Sequence, residues 1–260
     1  MSTRLAAVAS LDDQWPAGPL YRSIIILDLE GSTKRTNPVK GELRRVMYDL
    51  LGHSLEAVAI TGNRLEALSD RGDGVLVLIK PHDQVPKTVL LGRLIPLLAT
   101  RLAEYNAQAA QSPLRMRLRV VIHAGEVHID SRGCYGEAID VAVRLLDAPR
   151  VKKALKQATA PLVLVISDQI HSGIVCQGYV DASTYLPLVW VHVADRRYRG
   201  WVHIPAPVAS AMAAGLAPGS RAAGASVSSA PAIADERALY PVAAITGRPG
   251  VTRGGRATIG

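Results

Sequence analysis

The sequence has no phenylalanine, and aromatic residues make up 4% of it. Proteins that hold single-stranded nucleic acid stack successive bases on aromatic faces, so this chain has little material for such a platform. Its two cysteines, Cys134 and Cys176, stand in unrelated contexts without CxxC spacing, which argues against a disulfide framework or a structural zinc site. No stretch approaches the roughly 18–20 continuous apolar residues of a membrane span. The opening segment MSTRLAAVASLDDQWPAGP carries acidic residues and lacks the apolar region of a signal peptide. A cytoplasmic protein with no membrane partner is expected.

With 260 residues, 48% of them hydrophobic, the chain is long enough for one good-sized core. The net charge of +8 suits an anionic partner, but no helix carries a concentrated basic stripe with polar base readers, so nucleic acid is not the expected one. From about residue 206 the composition turns to Ala, Gly, Ser and Pro. Residues 206–260 read as a disordered tail and residues 1–19 as a flexible extension.

Between them strands and helices alternate. Residues 22–29 form an apolar run suited to a buried strand, and Asn37-Pro38 opens a periodic helical segment reaching Ile60. Two strands, Arg64–Ser69 and Val75–Ile79, flank the turn DRGDG, and residues 84–109 read as a long helix bent or split at Pro96. RMRLRVVIHAGEVHID reads as two strands turning at Ala124-Gly125, followed by a helix over residues 136–146. The strand LVLVIS, a short helix from Asp168 and strands at Leu188–Val193 and Trp201–Ile204 complete the order. It predicts an α+β sheet with helices packed on one face.

The chemistry gathers where strands end. Asp28 closes the first strand and Gly31 follows, so the chain can turn sharply and aim several backbone N–H groups at one point. Such a turn cradles polyphosphate, with the Ser32 and Thr33 hydroxyls as further donors. Asp73 sits in the second tight turn, at the tip of a hairpin able to lie beside the first strand. Two adjacent carboxylates repel unless cations lie between them, and oxygen ligands favour Mg²⁺ or Mn²⁺; two such ions serve attack at phosphorus. Taken singly, the first motif also reads as a turn with a helix cap, and Asp-Gly as an ordinary hairpin signal. His123 and His128 flank Glu126 without a third ligand suitably spaced, and read as sheet histidines.

The ordered set IIILDLEGST, RGDGVLVLI, LRVVIHAGEV and YGEAIDVAVRLL resembles the class III nucleotidyl cyclases, the adenylate and guanylate cyclase family, over about residues 20–205. The resemblance implies a ferredoxin-like sheet and two bound Mn²⁺ or Mg²⁺ ions held by Asp28, Asp73 and the backbone carbonyl of Leu29. It also implies a homodimer whose sites combine the metals of one chain with the arginine of the other. The family helix G-x-x-V-N-x-A-x-R runs here from Gly136 to Arg144. Arg144 matches the transition-state arginine, whereas the ribose-orienting asparagine is Asp140, which accepts a hydrogen bond but cannot donate as an amide does. Asp140 and Arg144 also have the spacing of a surface i,i+4 ion pair. A basic residue near the last strands holds the terminal phosphates in this family, and Arg199 of DRRYRGW is the candidate, its plainer reading being a solvated loop charge.

Base selection departs from the purine pattern. Where purine-selective members carry lysine or glutamate, four residues before the second aspartate, this chain has Ser69; at the second selector it has Gly133. This departure resembles the pyrimidine cyclases of the Pycsar anti-phage systems, which make a cyclic pyrimidine monophosphate that switches on a separate effector protein. UTP is favoured over CTP because Arg71, facing the base edge, would offer donors to the two uracil carbonyls; Arg71 bracing its turn is the alternative. A purine cyclase with atypical base contacts and a non-catalytic nucleotide-binding module are the competing expectations.

Overall fold

The apolar run at residues 24–29 feeds two cores at once. A computed structural model of the protein describes residues 18–109 and 113–206. It places the run in β1 (Leu20–Leu29), at the centre of a mixed sheet. There follow α1 (Asn37–Ala57), β2 (Leu65–Asp70), β3 (Gly74–Ile79), α2 (Lys87–Val89), α3 (Ile95–Gln108), β4 (Leu118–Asp130), β5 (Gly133–Tyr135), α4 (Glu137–Asp147), α5 (Pro149–Gln157), β6 (Leu162–Ser167), α6 (Asp168–Ile170), β7 (Leu186–Val193) and β8 (Arg196–His203). The strand order is β2-β3-β1-β4-β6-β8-β7, with β5 paired to the end of β4. β4 and β6 run parallel; the neighbouring pairs run antiparallel.

Successive side chains of a strand point to opposite faces. Ile25, Leu27 and Leu29 enter the core built with α1 and α3, where Leu43, Met47, Leu51, Leu98 and Leu102 are buried. Ile24 and Ile26 enter a second core with α4 and α5, where Val141, Ala142, Leu145, Val151 and Leu155 are buried. Helices therefore cover both faces, which corrects the expectation of one. The reason is legible in β3 and β6, buried at every position: strands apolar on both sides need a layer on each.

Other expectations shift in detail. The segment RMRLRVVIHAGEVHID holds one continuous strand, β4, and no turn at Ala124-Gly125. A Cβ on Gly125 would lie 2.8 Å from that of Ala138, so this glycine serves the close approach of α4, and the chain reverses at Ser131-Arg132 instead. The helix expected over residues 84–109 runs from Lys87 to Gln108 with a π turn at Leu90–Leu94 in place of a break; Pro96, directly after that turn, has no N–H to donate to the preceding turn, which is where the regular ladder gives way. Helix α5 had no counterpart in the sequence reading, and β8 begins at Arg196 rather than Trp201. The proposed N-terminal extension and tail fall almost wholly outside the described residues.

Candidate active site

Asp28 is the penultimate residue of β1, in register with Gly74 of β3 and Arg119 of β4. It shares the α4 face with Ile24 and Ile26, as Arg119 does with Val121. Arg119 donates from Nε to Asp28 Oδ2 at 3.0 Å and again from Nη2. Burial pushes the Asp28 carboxyl above the usual carboxylate range; Arg119 opposes the rise, and the nearby charges of Asp73 and Asp147 add to it.

Past Leu29 the chain turns through Gly31, whose φ of +69° lies in the left-handed region that glycine enters without a Cβ clash. The hairpin tip is fastened to this turn twice: Leu29 N–H donates to the Asp73 carbonyl at 3.0 Å, and the buried Ser32 hydroxyl donates to Asp73 Oδ2. Gly74 permits the approach, since a Cβ there would sit 2.5 Å from the Leu27 carbonyl oxygen.

Asp28 and Asp73 thus line one cavity of about 180 Å³ together with Arg71, Val143 and Asp147. Asp73 also borders a second cavity, of about 330 Å³, lined by Leu29, Ser32, Thr33, Lys40 and Arg44. Each aspartate has Oδ2 engaged by a neighbour, while no hydrogen bond to Oδ1 of either is found among the described residues. Two hard oxygen donors lining one cavity, each held at Oδ2 by a neighbour, fit a divalent cation that completes its shell with water and substrate phosphate. Among the described residues no group of three or more His, Cys, Asp or Glu side chains stands ready to hold a metal.

The remaining candidates divide. Ser69 and Arg71 lie close enough to the Cys134 thiol that both oppose the upward push of burial on it, the Arg71 charge more than the Ser69 hydroxyl. Asp140 and Arg144 are exposed on α4, line neither cavity, and form no ion pair with each other, so the i,i+4 bridge is absent. Arg199 is not near these groups. Gly200 and Val202 of β8 face α4, whereas Arg199 lies on the opposite side, its guanidinium 4.9 Å from the Trp201 ring and 5.1 Å from the Trp190 ring. The basic residue of that segment on the α4 face is Arg196, which reaches Glu137 Oε2 at 3.6 Å. Arg119, Asp147 and Cys134 escaped the sequence reading. Only strand register sets Arg119 opposite Asp28, although Asp147 does follow Arg144 by one helical turn.

No family model matches the sequence, and no curated protein matches it. Solved structures do. The adenylate/guanylate cyclase/hydrolase from Silicibacter pomeroyi aligns with a TM-score of 0.52 and 17% identity, over 73% of this chain and 99% of that one. The catalytic core of a rhodopsin-guanylyl cyclase with converted specificity, in complex with ATPαS, gives 0.50 and 12% over 72% and 97%. The adenylyl cyclase CyaB from P. aeruginosa gives 0.50 and 14% over 72% and 95%. This chain has the fold of the adenylate and guanylate cyclases, a mixed sheet with helices. Among its described residues no helix is long and apolar enough to cross a membrane.

Proposed function

We propose that this protein is a nucleotidyl cyclase that converts a pyrimidine nucleoside triphosphate, UTP foremost, to its 3′,5′-cyclic monophosphate and pyrophosphate. The observation that carries the reading is the meeting of Asp28 and Asp73 in one cavity, each with one carboxylate oxygen open. Two Mn²⁺ or Mg²⁺ ions held by these carboxylates and the Leu29 carbonyl would supply Lewis acidity at the ribose 3′-oxygen and the α-phosphate.

The chain's own groups do the rest. Backbone N–H groups of the turn at Gly31 receive the phosphates together with the Ser32 and Thr33 hydroxyls, and Lys40 lines the same cavity as those two hydroxyls. The 3′-hydroxyl gives its proton to solvent water, its oxygen bonds to the α-phosphorus in line, and the bond from that phosphorus to the bridging oxygen breaks as pyrophosphate leaves. Arg144 meets the negative charge growing at that phosphorus, and Asp140 accepts from a ribose hydroxyl. Because both stand exposed on α4 and outside the acidic cavity, we assign them to the site of a second copy, so that the working unit is a homodimer. Arg199, packed on the opposite face, has no part in this reading; Arg196 takes its place as the basic residue beside α4.

Base choice rests on Ser69, Cys134 and Arg71. Neither Ser69 nor Cys134 offers the charged partners of an adenine-reading pair, and Arg71 presents donors beside the acidic cavity, which suits two uracil carbonyls. By its resemblance to the Pycsar enzymes, the product would act in the cytoplasm on a separate effector as an anti-phage signal.

A second reading, a nucleotide-binding module without turnover, draws on the Arg119–Asp28 ion pair, which already neutralises one metal-binding carboxylate. Incubating the protein with each of four nucleoside triphosphates and Mn²⁺, and weighing the products by mass spectrometry, separates these. Cyclic UMP is the expected product, lost in Asp28→Ala and Arg144→Ala. Predominant cyclic AMP refutes the pyrimidine assignment, and nucleotide binding without any product leaves the binding module.

A further inference from the structure

The run RMRLR at residues 115–119 alternates arginine with apolar residues. Met116 and Leu118 are buried in the core with α1 and α3, which leaves the arginines outside it. Two of them, Arg115 and Arg117, line a cavity of about 370 Å³ with Asn106, Thr159, Pro161 and Arg35, the last from the connection between β1 and α1. It shares no lining residue with either cavity of the candidate active site.

Backbone carbonyls fix two of these three guanidiniums. Arg35 donates from Nη1 to the Pro113 carbonyl and from Nη2 to the Arg115 carbonyl, both at 3.0 Å. Arg117 donates from Nη2 to the Leu155 carbonyl and, at 3.0 Å, to that of Ala158, where α5 ends. A carbonyl orients a guanidinium and leaves its charge in place, and with five donors each group keeps some for another acceptor. Arg115 is exposed, and its side chain makes no hydrogen bond or ion pair among the described residues. Glu30, 3.5 Å from Arg117 Nε, is the one carboxylate paired with any of the three among the described residues. Three positive charges thus meet one negative, and Lys34, Lys152 and Lys156 line the neighbouring cavity that Arg35 also borders.

A dianionic phosphate fits that balance, because its oxygens accept from several guanidiniums at once, which the two oxygens of a carboxylate do less well. Asn106, Arg115, Thr159 and Pro161 also line an adjoining cavity of about 470 Å³, walled by Ala103, Ala107 and Ala160. This apolar wall suits a carbon chain. Among the described residues no aromatic side chain lines either cavity, so a nucleobase finds no face to stack on. We propose that the two cavities form one binding site for a small aliphatic phosphate monoester, its phosphate on Arg35, Arg115 and Arg117 and its carbon chain along Ala103, Ala107 and Pro161. The site is independent of the acidic cavity and of the cyclase reading.

Isothermal titration calorimetry of the full-length protein with inorganic phosphate and with butyl phosphate tests the site. Butyl phosphate should bind several-fold more tightly than inorganic phosphate. Arg115→Gln removes an exposed charge that has no partner among the described residues, so it should weaken butyl phosphate binding about tenfold or more at an unchanged melting temperature, and Arg115→Lys should recover part of the loss. Lys40→Gln, in the cavity lined by Ser32 and Thr33, should keep the wild-type affinity, which separates this site from phosphate held at the candidate active site. Equal affinities for the two phosphates overturn the proposal, as does wild-type binding by Arg115→Gln or a loss of binding in Lys40→Gln. Adsorption to phosphatidic acid vesicles without any binding of butyl phosphate also overturns it and gives the arginines to a membrane surface.

Discussion

Asp28 and Arg119 are register partners on neighbouring strands, and their side chains meet on the α4 face as an ion pair. The pair holds a half-buried carboxylate charged against three influences that favour its neutral form: desolvation, Asp73 and Asp147. Replacing Arg119 by Gln leaves those three unopposed, so the Asp28 pKa should climb further. Because a cation binds the deprotonated carboxylate, the pH midpoint for Mn²⁺ binding should move upward in Arg119→Gln, as followed by titration of Mn²⁺ electron spin resonance. A midpoint that stays or falls would separate Asp28 from the metal.

Among the described residues Arg144 makes no ion pair, and it stands exposed, so Arg144→Ala should leave the melting temperature within about a degree of wild type, while kcat drops by about 10²–10³ with KM little changed. Mixing Arg144→Ala with Asp28→Ala tests site sharing. Heterodimers then hold one intact site of two, and an equimolar mixture should recover about a quarter of wild-type activity. No recovery after subunit exchange argues that each chain acts alone.

Gly74 lets the hairpin tip reach β1, and a Cβ there would press on the Leu27 carbonyl, which is backbone and cannot swing aside. Gly74→Ala should cost about 1–3 kcal/mol in urea unfolding and weaken Mn²⁺ binding, because Asp73 moves with its turn. Gly41→Ala, with open space around it inside α1, should by contrast raise stability by about 0.5–1 kcal/mol.

His123 is buried, its Nδ1 2.8 Å from Ser167 Oγ, and burial lowers its pKa from 6.5 to about 4. The folded state thus refuses a proton that the unfolded chain accepts. Stability from this residue is complete above pH 6.5 and declines as pH falls toward 4, by up to about 3 kcal/mol. Urea midpoints between pH 7 and 4 should fall more steeply for wild type than for His123→Gln; parallel slopes would show that His123 titrates normally.

Much of the fold was legible because local patterns suffice for it. The apolar run before Asp28, the Pro38 helix start and the helix at Glu137–Asp147 follow from side-chain periodicity and from where proline is tolerated. What failed needed distant partners. Gly125 has the composition of a turn and the position of a packing contact, and only the arrival of Ala138 decides between them. Arg199 and Arg196 are three residues apart in one basic segment, yet strand parity sends one toward the tryptophans and the other toward α4.

The sequence by itself determined which residues can do chemistry: two aspartates in tight turns after apolar strands, and an arginine on an amphipathic helix, each set by short-range geometry of the chain. Tertiary structure alone decided that Asp28 and Asp73 share a cavity, that Arg119 neutralises the first and Ser32 braces the second, and that helices cover both sides of the sheet. The reason is register. A strand's side chains alternate with a period of two, so which residue meets which across the sheet depends on an alignment between segments up to ninety or so residues apart, and no local pattern in either segment specifies it.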